Sequence, residues 1–486
     1  MVVKLSKNRV DMGNEQIQNA ILKSYTEVLY AAGASGTYTV SFTNGNSMTV
    51  RLAGNTTFVF PSSLSSSVAW VFTLFVWQNK VGGYTVTWPS NVRWANGVPP
   101  TLTTTAYYVS EFKFVSTDGG TTWYGTQTML SLYKAPQLGL FEWGYNVQGQ
   151  LGESDTVNRS SPTQVGALTT WSNITAAALH VIASRTDGTL WTWGHNNKGN
   201  LGQGDKIDRS SPTQVGALTT WSNVGNGWYH SCGTHTDGTL WAWGYGAFGQ
   251  LGKGDQVDRS SPTQVGALTT WSSVAGGGYY ITAALRTDGT LWVCGGSANG
   301  QLGLGDTASR SSPTQVGTIT TWSSVAGGRK HTLATHTDGT LWAWGYNFNG
   351  QLGVGDGADR SSPVQVGALT TWSSVAGGGY STVALRTDGT LWAWGNNSQD
   401  QLGMGGGDVT SPTQIGALTT WANVVSGYRH VAALRADGTV WMWGYNNFGQ
   451  LGTLDTVTRS SPTQVGTLAL WSSIAAGQYH TMLLYG

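Results

Sequence analysis

Charge is what this chain has least of. Only 10% of its 486 residues are charged, and 25 basic residues against 24 acidic ones leave a net charge of +1. That balance gives no electrostatic case for nucleic acid or an anionic membrane as partner. Cysteine is nearly absent. Cys232 and Cys294 cannot build a disulfide framework and read as buried free thiols. No run approaches eighteen uninterrupted apolar residues, so no membrane-spanning helix and no membrane insertion are expected. The opening MVVKLSKNRVDMGNEQ has no apolar leader core, so no Sec signal is expected. Glycine and tryptophan are plentiful instead, at 69 and 25 residues. That mixture favours short strands joined by tight turns over helices.

A repeat organises residues 138–486. Trp-Gly recurs at Trp143, Trp193, Trp243, Trp344, Trp394 and Trp443, with Cys294–Gly295 in the remaining place. The spacing stays within one residue of 50 and gives seven units. A period of this size marks a propeller or a solenoid. Each unit runs WG, GQLGxGD, RSSPTQVG, TTWSSVAGG and TDGTLW, which reads as four strands with an Asp-Gly hairpin turn. The ends decide between the two architectures. The last unit stops at HTMLLYG without its own LWxWG strand, and the first begins with a spare LGLFEWG. Strand 138–144 is therefore predicted to pair with 480–486 and close a seven-bladed β-propeller with no open sheet edge.

The run WGYNxxGQLGxGD…SPTQV…VAGGxxHTxAL…DGTLWxWG resembles the regulator of chromosome condensation repeat in all seven units. The resemblance implies the seven-bladed ring and leaves function open, because the family's members include exchange factors, ubiquitin ligases and inhibitory proteins.

Three columns within the units are candidates for chemistry. Asp155/Arg159, Asp205/Arg209, Asp255/Arg259, Asp306/Arg310, Asp356/Arg360 and Asp455/Arg459 share one offset, and the sixth unit has lost both partners, with Gly406 and Val409 in their places. They read as structural ion pairs in preference to ion sites. His180, His230, His331, His430 and His480 form the second column. One histidine per blade is too widely spaced to share a metal, so hydrogen-bonded structural histidines are expected, with no metal and no cofactor. No nucleophile pairs with a base, and Glu142, Glu153, Asp400 and Asp408 form no evident carboxylate pair, so no catalytic residue is assigned and no enzyme is expected.

Repeat proteins specialise where their units differ. One variable window precedes the histidine column and holds Trp228, Tyr229, Tyr279, Tyr280, Arg329, Lys330, Tyr380, Tyr428, Arg429 and Tyr479. These are the candidate recognition residues, since Tyr, Trp and Arg dominate binding surfaces. A second window follows WG and includes Lys198, Phe248, Phe348 and Phe448.

The first 137 residues have a different pattern. Ile17, Ile21, Tyr25 and Val28 make a helical stripe over 14–31, within an N-terminal segment spanning 1–35. From 36 to 130 the period is two, and TYTVSF and SMTVRL flank the hairpin signal Thr43-Asn44-Gly45-Asn46. A β-sandwich or jelly-roll-like domain is predicted, with 131–137 as linker. The stretch from FTLFVWQNK to TTWYG resembles a β-module of bacteriophage tail-fibre and other virion proteins, over about residues 35–126. That resemblance implies a virion location on the tail or particle surface. It also implies docking to other virion proteins through the N-terminal part, a homotrimer, and a propeller that binds a host-surface glycan or protein. A decoration or collar protein and an exchange-factor-like protein-binding module are the alternatives. Nucleic acid is disfavoured by charge, because residues 138–486 hold 16 Lys and Arg against 19 Asp and Glu, a net −3 that leaves +4 on residues 1–137.

Overall fold

In the computed structural model, residues 139–485 are described without interruption. Before them the structure describes 3–6, 9–12, 16–18, 32–40, 47–66, 69–78, 83–94, 97–100, 102 and 109–129. The chain divides into two units, Met1–Gln137 and Leu138–Gly486.

The helix predicted over 14–31 is replaced, where the chain is described, by strand. Gln16–Gln18 pairs antiparallel with Arg9–Met12, which pairs in turn with Val3–Ser6. Ile17 lies between two glutamines, so three residues satisfy a period of two as well as they begin a helical one. The rest of that helical stripe, and the linker 131–137, lie outside the described residues. In the next region the described residues form one mixed sheet of seven strands. Ala32–Thr39 and Ser47–Val59 run parallel, with Thr39 opposite Val59, and not antiparallel as the arms of a hairpin would; the turn predicted at 43–46 lies outside the described residues. Alternation fixes which side chains share a face but not the direction in which strands pair. The face itself follows the alternation: Val50, Leu52, Phe58, Phe60, Phe72, Leu74, Phe112 and Phe114 are buried in one core with Trp123.

Residues 139–485 form seven four-stranded antiparallel sheets. We number the blades by their inner strands: Trp171–Ala176, Trp221–Asn226, Trp271–Gly277, Trp322–Gly327, Trp372–Gly377, Trp421–Ser426 and Trp471–Ala476. In each blade the His-column strand follows, then LWxWG, then RSSPTQ on the outside. Blade 7 is assembled from both ends of the described ring. His480–Tyr485 pairs with Gly139–Gly144, Gly139 opposite Tyr485 and Gly144 opposite His480, and Arg159–Gln164 adds the outer strand. Closure removes the sheet edge that a linear array would expose.

The repeated tryptophans hold the ring. Trp143, Trp193, Trp243, Trp344, Trp394 and Trp443 are fully buried. Five of these indoles donate to a carbonyl of the preceding loop, as Trp243 does to Asn200 and Trp344 to Gln301, at 2.9–3.0 Å. Cys294 takes the same place in blade 3, its thiol 3.5 Å from the carbonyl of Gln250. Both cysteines are free and buried. Trp171 and its six counterparts open the inner strands, where Trp171 packs at 5.8 Å on Trp193. The prolines of RSSPTQ sit on the outermost strand, where a missing amide donor costs no ladder bond.

Candidate binding face

Both variable windows lie at the same end of the blades. The loop before each histidine and the loop after each WG are tied by a main-chain bond: His195 N to Leu179 O, Tyr245 N to Tyr229 O, Tyr346 N to Lys330 O and Tyr445 N to Arg429 O, at 2.8–2.9 Å. The Asp-Gly turns occupy the opposite face, because a single six-residue strand separates them from the histidine loops.

Around the central channel the loops preceding the histidines also bond to one another. Trp228 N donates to Gly278 O, Arg329 N to Gly378 O and Gly379 N to Tyr428 O, at 2.9–3.0 Å. Their side chains then cross the axis. The guanidinium of Arg329 lies 4.4 Å from the ring centre of Tyr279, 5.0 Å from Tyr380, 5.3 Å from Tyr428 and 5.6 Å from Trp228. Its Nη1 donates to the hydroxyls of Tyr380 and Tyr428. Trp228 packs on Tyr279 at 3.6 Å and meets Tyr428 edge-on at 5.9 Å. Burial raises the pKa of the Tyr279 and Tyr380 phenols, so both stay neutral donors and acceptors. This rosette spans five blades and stands over a channel cavity of about 370 Å³ lined by the valines, alanines and glycines of the inner strands.

A second aromatic ring surrounds the rosette. Phe248 stacks on Tyr280 at 4.2 Å, and Phe448 packs on Tyr479 and Tyr145 at 5.2 and 4.8 Å. Lys198 lies over Tyr245, Lys330 over Tyr346 and Arg429 over Tyr428, at 5.0–5.4 Å. The candidate recognition residues are thus brought to one face, and their rings largely face one another.

The aspartate–arginine column is a set of loop clasps. Arg159 meets Asp155, Arg209 meets Asp205, Arg259 meets Asp255, Arg310 meets Asp306, Arg360 meets Asp356 and Arg459 meets Asp455, each with Nη2 2.5–2.7 Å from Oδ2. The second guanidinium nitrogen holds the same loop. Nη1 of Arg259 donates to the carbonyl of Val257, that of Arg310 to Ala308, that of Arg360 to Ala358 and that of Arg459 to Val457, at 2.7–3.1 Å. Every one of these arginines opens the outermost strand of its blade. The column therefore does not join the recognition residues around the channel. Arg259, Arg310, Arg360 and Arg459, like Arg159 and Arg209, serve the frame of the loop. The amide of Ile207 and then Arg209 hold the Asp205 carboxyl below its usual pKa. The loop of blade 5 lacks the clasp and keeps the bond that Asp208, Asp258 and Asp359 also make in theirs, with Asp408 Oδ1 accepting from the amide of Asn397 at 2.8 Å.

The histidines are buried between blades. His230 Nε2 lies 2.9 Å from Thr282 Oγ1 of the next blade, whose hydroxyl donates to the carbonyl of Gln250. His430, Thr481 and Gln450 repeat the chain. A hydroxyl that donates onward must accept from the ring, so these histidines carry their proton on Nε2. Gly227 and Gly427 leave room for the rings, which a Cβ at either position would strike. Burial lowers the pKa of His230 to about 4 and of His180, His331, His430 and His480 to about 3, so all five are neutral at pH 7. His480 faces Val181 where the others face Ser or Thr, and neither of its ring nitrogens has a partner.

One feature escaped the sequence reading. Glu142 and Glu153 stand where blade 1 has Thr192 and Gln203, which hydrogen-bond at 3.2 Å. The repeat register alone pairs these two acids. Glu142 is fully buried and accepts from Trp193 Nε1 at 3.3 Å. Burial, and then Glu153, raise its pKa well above the carboxylate range, while burial lifts Glu153 to about 7. Glu142 is sealed from solvent, which leaves the pair no opening for a substrate. No group of three or more potential metal ligands occurs among the described residues.

Comparison with known proteins agrees with this architecture. The regulator of chromosome condensation (RCC1) repeat matches at 139–184, 187–233, 237–285, 288–335, 338–385, 388–434 and 437–484. Human WBSCR16 superposes with a TM-score of 0.65 and 23% identity, over 71% of this chain and 98% of that one. Prp20p of Saccharomyces cerevisiae does so with 0.63 and 20%, over 71% and 91%. Yeast RCC1 (Prp20), in its structure with Kap60, gives 0.63 and 18%, over 72% and 89%. No curated protein matches the sequence. The seven repeat matches follow the seven blades through the described ring, and the chain belongs to the regulator of chromosome condensation (RCC1) repeat family.

Proposed function

We propose that this protein is a non-enzymatic binding module that docks a protein partner on the rosette face. One observation carries the reading. The units are nearly identical in their frame, and the positions that differ converge on one face as Trp, Tyr, Phe, Arg and Lys. Those residue types concentrate binding energy when a partner covers them. A protein partner fits better than a glycan. A sugar ring needs an open aromatic face, and in the rosette the faces of Tyr279, Tyr380, Tyr428 and Trp228 are turned to Arg329 and to one another. The structural relative Prp20p is described by its binding to Gsp1p and histones, which supports protein docking as a use of this ring.

The tail-fibre reading would add a place to this activity, the N-terminal unit holding the propeller on a virion. It rests on the likeness of residues 35–126 to phage modules, and the RCC1 matches begin at 139. Affinity capture with the full chain tests the docking face. Tyr229→Ala and Phe248→Ala on the rosette face should lose the captured proteins, and Leu218→Glu on the opposite face should keep them. The reverse pattern would move the site to the opposite face.

A further inference from the structure

The cations of the propeller fall into two groups. Ten arginines are paired with aspartates, six in the loop clasps and four beside the Asp-Gly turns at Arg185, Arg286, Arg386 and Arg435. Lys206 lies 4.0 Å from Asp258, and Lys253 donates to the carbonyl of Gln264. The remaining four are Lys198, Arg329, Lys330 and Arg429. Among the described residues none of them forms an ion pair with a carboxylate, and each lies over an aromatic ring on the rosette face. Apart from Lys253, whose ammonium is held by a carbonyl, the charges left without a counter-charge are therefore gathered around one mouth of the channel. Arg329 adds a second sign. Its Nη1 serves two tyrosines and its Nε is shielded from solvent, so Nη2 is the guanidinium nitrogen left open to an outside acceptor. An unsatisfied donor on a charged group is costly, and a carboxylate is the acceptor that a guanidinium fork fits best.

We propose that the rosette receives an acidic segment of the partner protein, its carboxylates meeting Arg329, Lys330 and Arg429 at the channel mouth and Lys198 beside it. This rests on the docking reading above and names the chemistry of the partner. Charge complementarity selects the class. A neutral or basic segment would leave four cations desolvated and unpaired under the interface. A long polyanion would run outward over the loops that carry Asp208, Asp258, Asp359 and Asp408, whereas a short acidic segment reaches the cations alone.

Fluorescence anisotropy of labelled peptides on the full chain tests this. The probes are alternating Glu-Gly, Gln-Gly and Lys-Gly dodecapeptides, with polysialic acid as an acidic glycan. The Glu-Gly peptide should bind, and added salt should weaken it. Arg329→Gln should reduce its affinity by about tenfold or more, Lys330→Gln and Arg429→Gln by several-fold, and the clasp variant Arg209→Gln by less than about twofold. Lys330 and Arg429 each lean on a single ring, so their variants keep the test valid if Arg329→Gln loosens the rosette. Equal binding of the Glu-Gly and Gln-Gly peptides overturns the proposal, as does polysialic acid binding where the Glu-Gly peptide does not. Captured proteins that depend on Tyr229 but not on these cations would overturn the acidic segment and leave protein docking standing. Acidic-peptide binding with capture insensitive to Tyr229 would do the reverse.

Discussion

Trp228 and Tyr428 touch edge to face, with ring centres 5.9 Å apart, although they belong to blades 2 and 6. Those blades are three places apart in a ring of seven, as far as two blades can be. A contact between them closes the channel at that face, and Arg329 from blade 4 completes the closure with its guanidinium against both rings. A double-mutant cycle with Trp228→Ala and Tyr428→Ala should therefore give a coupling of about 0.5–1.5 kcal/mol in thermal or urea unfolding. Additive effects would mean that the two blades do not meet.

The buried histidines make the ring acid-sensitive. Their folded pKa values lie near 3 to 4, below the ordinary 6.5, so the unfolded chain binds more protons between those limits. Stability is then fully present above about pH 6.5 and falls as the pH drops, with each histidine adding up to about 1.4 kcal/mol per pH unit to the slope. His430→Gln should flatten the acid limb of an unfolding-versus-pH curve by about one proton. An unchanged slope would put the acid sensitivity elsewhere.

His480 is the histidine whose neighbour is missing. Val181→Thr should give its Nε2 the hydroxyl that Thr481 gives His430, with the carbonyl of Gln150 placed as Gln450 is for Thr481. The expected gain is about 0.5–1.5 kcal/mol in urea unfolding, the usual net worth of one buried hydrogen bond. A loss would show that the hydroxyl finds no such partner.

Glu142 has the opposite pH signature. Its folded pKa is raised, chiefly by burial, so the folded chain holds the proton more tightly than the unfolded one. Its contribution is fully present below about pH 4.5, the unfolded value, and is lost as pH rises through the folded value. Glu142→Gln keeps the size and the contact with Trp193 but cannot ionise. It should unfold at a higher temperature than the parent at pH 9, with a smaller difference at pH 6. Parallel curves would contradict a protonated Glu142 in the closing blade.

Leu454 carries a backbone strain that only Ser154 shares at the equivalent place of the seven blades. Its φ is +66° where Gly204, Gly254, Gly305 and Gly355 occupy the equivalent place, and its side chain is 79% exposed. Leu454→Gly should stabilise the protein by about 0.5–1 kcal/mol in thermal unfolding, because the left-handed conformation penalises a Cβ and little packing is lost. Destabilisation would show that this side chain packs on something it needs.

The ring was legible in the sequence because each blade repeats the same local instructions. The spare LGLFEWG and the truncated HTMLLYG announced the closure, and Pro162 and its counterparts marked the outer edge. The loss of Asp and Arg together in the sixth unit pointed to the clasp that Arg259, Arg310, Arg360 and Arg459 make in theirs. The rosette was legible only as a set of unlike residues at one position. That Arg329 would collect rings from four other blades depends on side-chain reach across the axis, which no linear pattern encodes. Glu142 and Glu153 read as isolated acids along the chain, yet aligning them with Thr192 and Gln203 joins them. In the first unit, alternation gave the core residues but left pairing direction open, and three residues around Ile17 could not separate strand from helix.

Site-specific photocrosslinking reads the docking face itself. A photoreactive residue at Phe348, which is 75% exposed on the rosette face, is compared with one at Leu218 on the opposite face, in full-chain protein exposed to extracts of cells that produce it. Docking on the rosette face gives discrete crosslinked proteins from position 348, lost when an excess of unlabelled wild-type chain competes and retained when the competitor carries Tyr229→Ala and Phe248→Ala. Crosslinks from position 218 alone would contradict it.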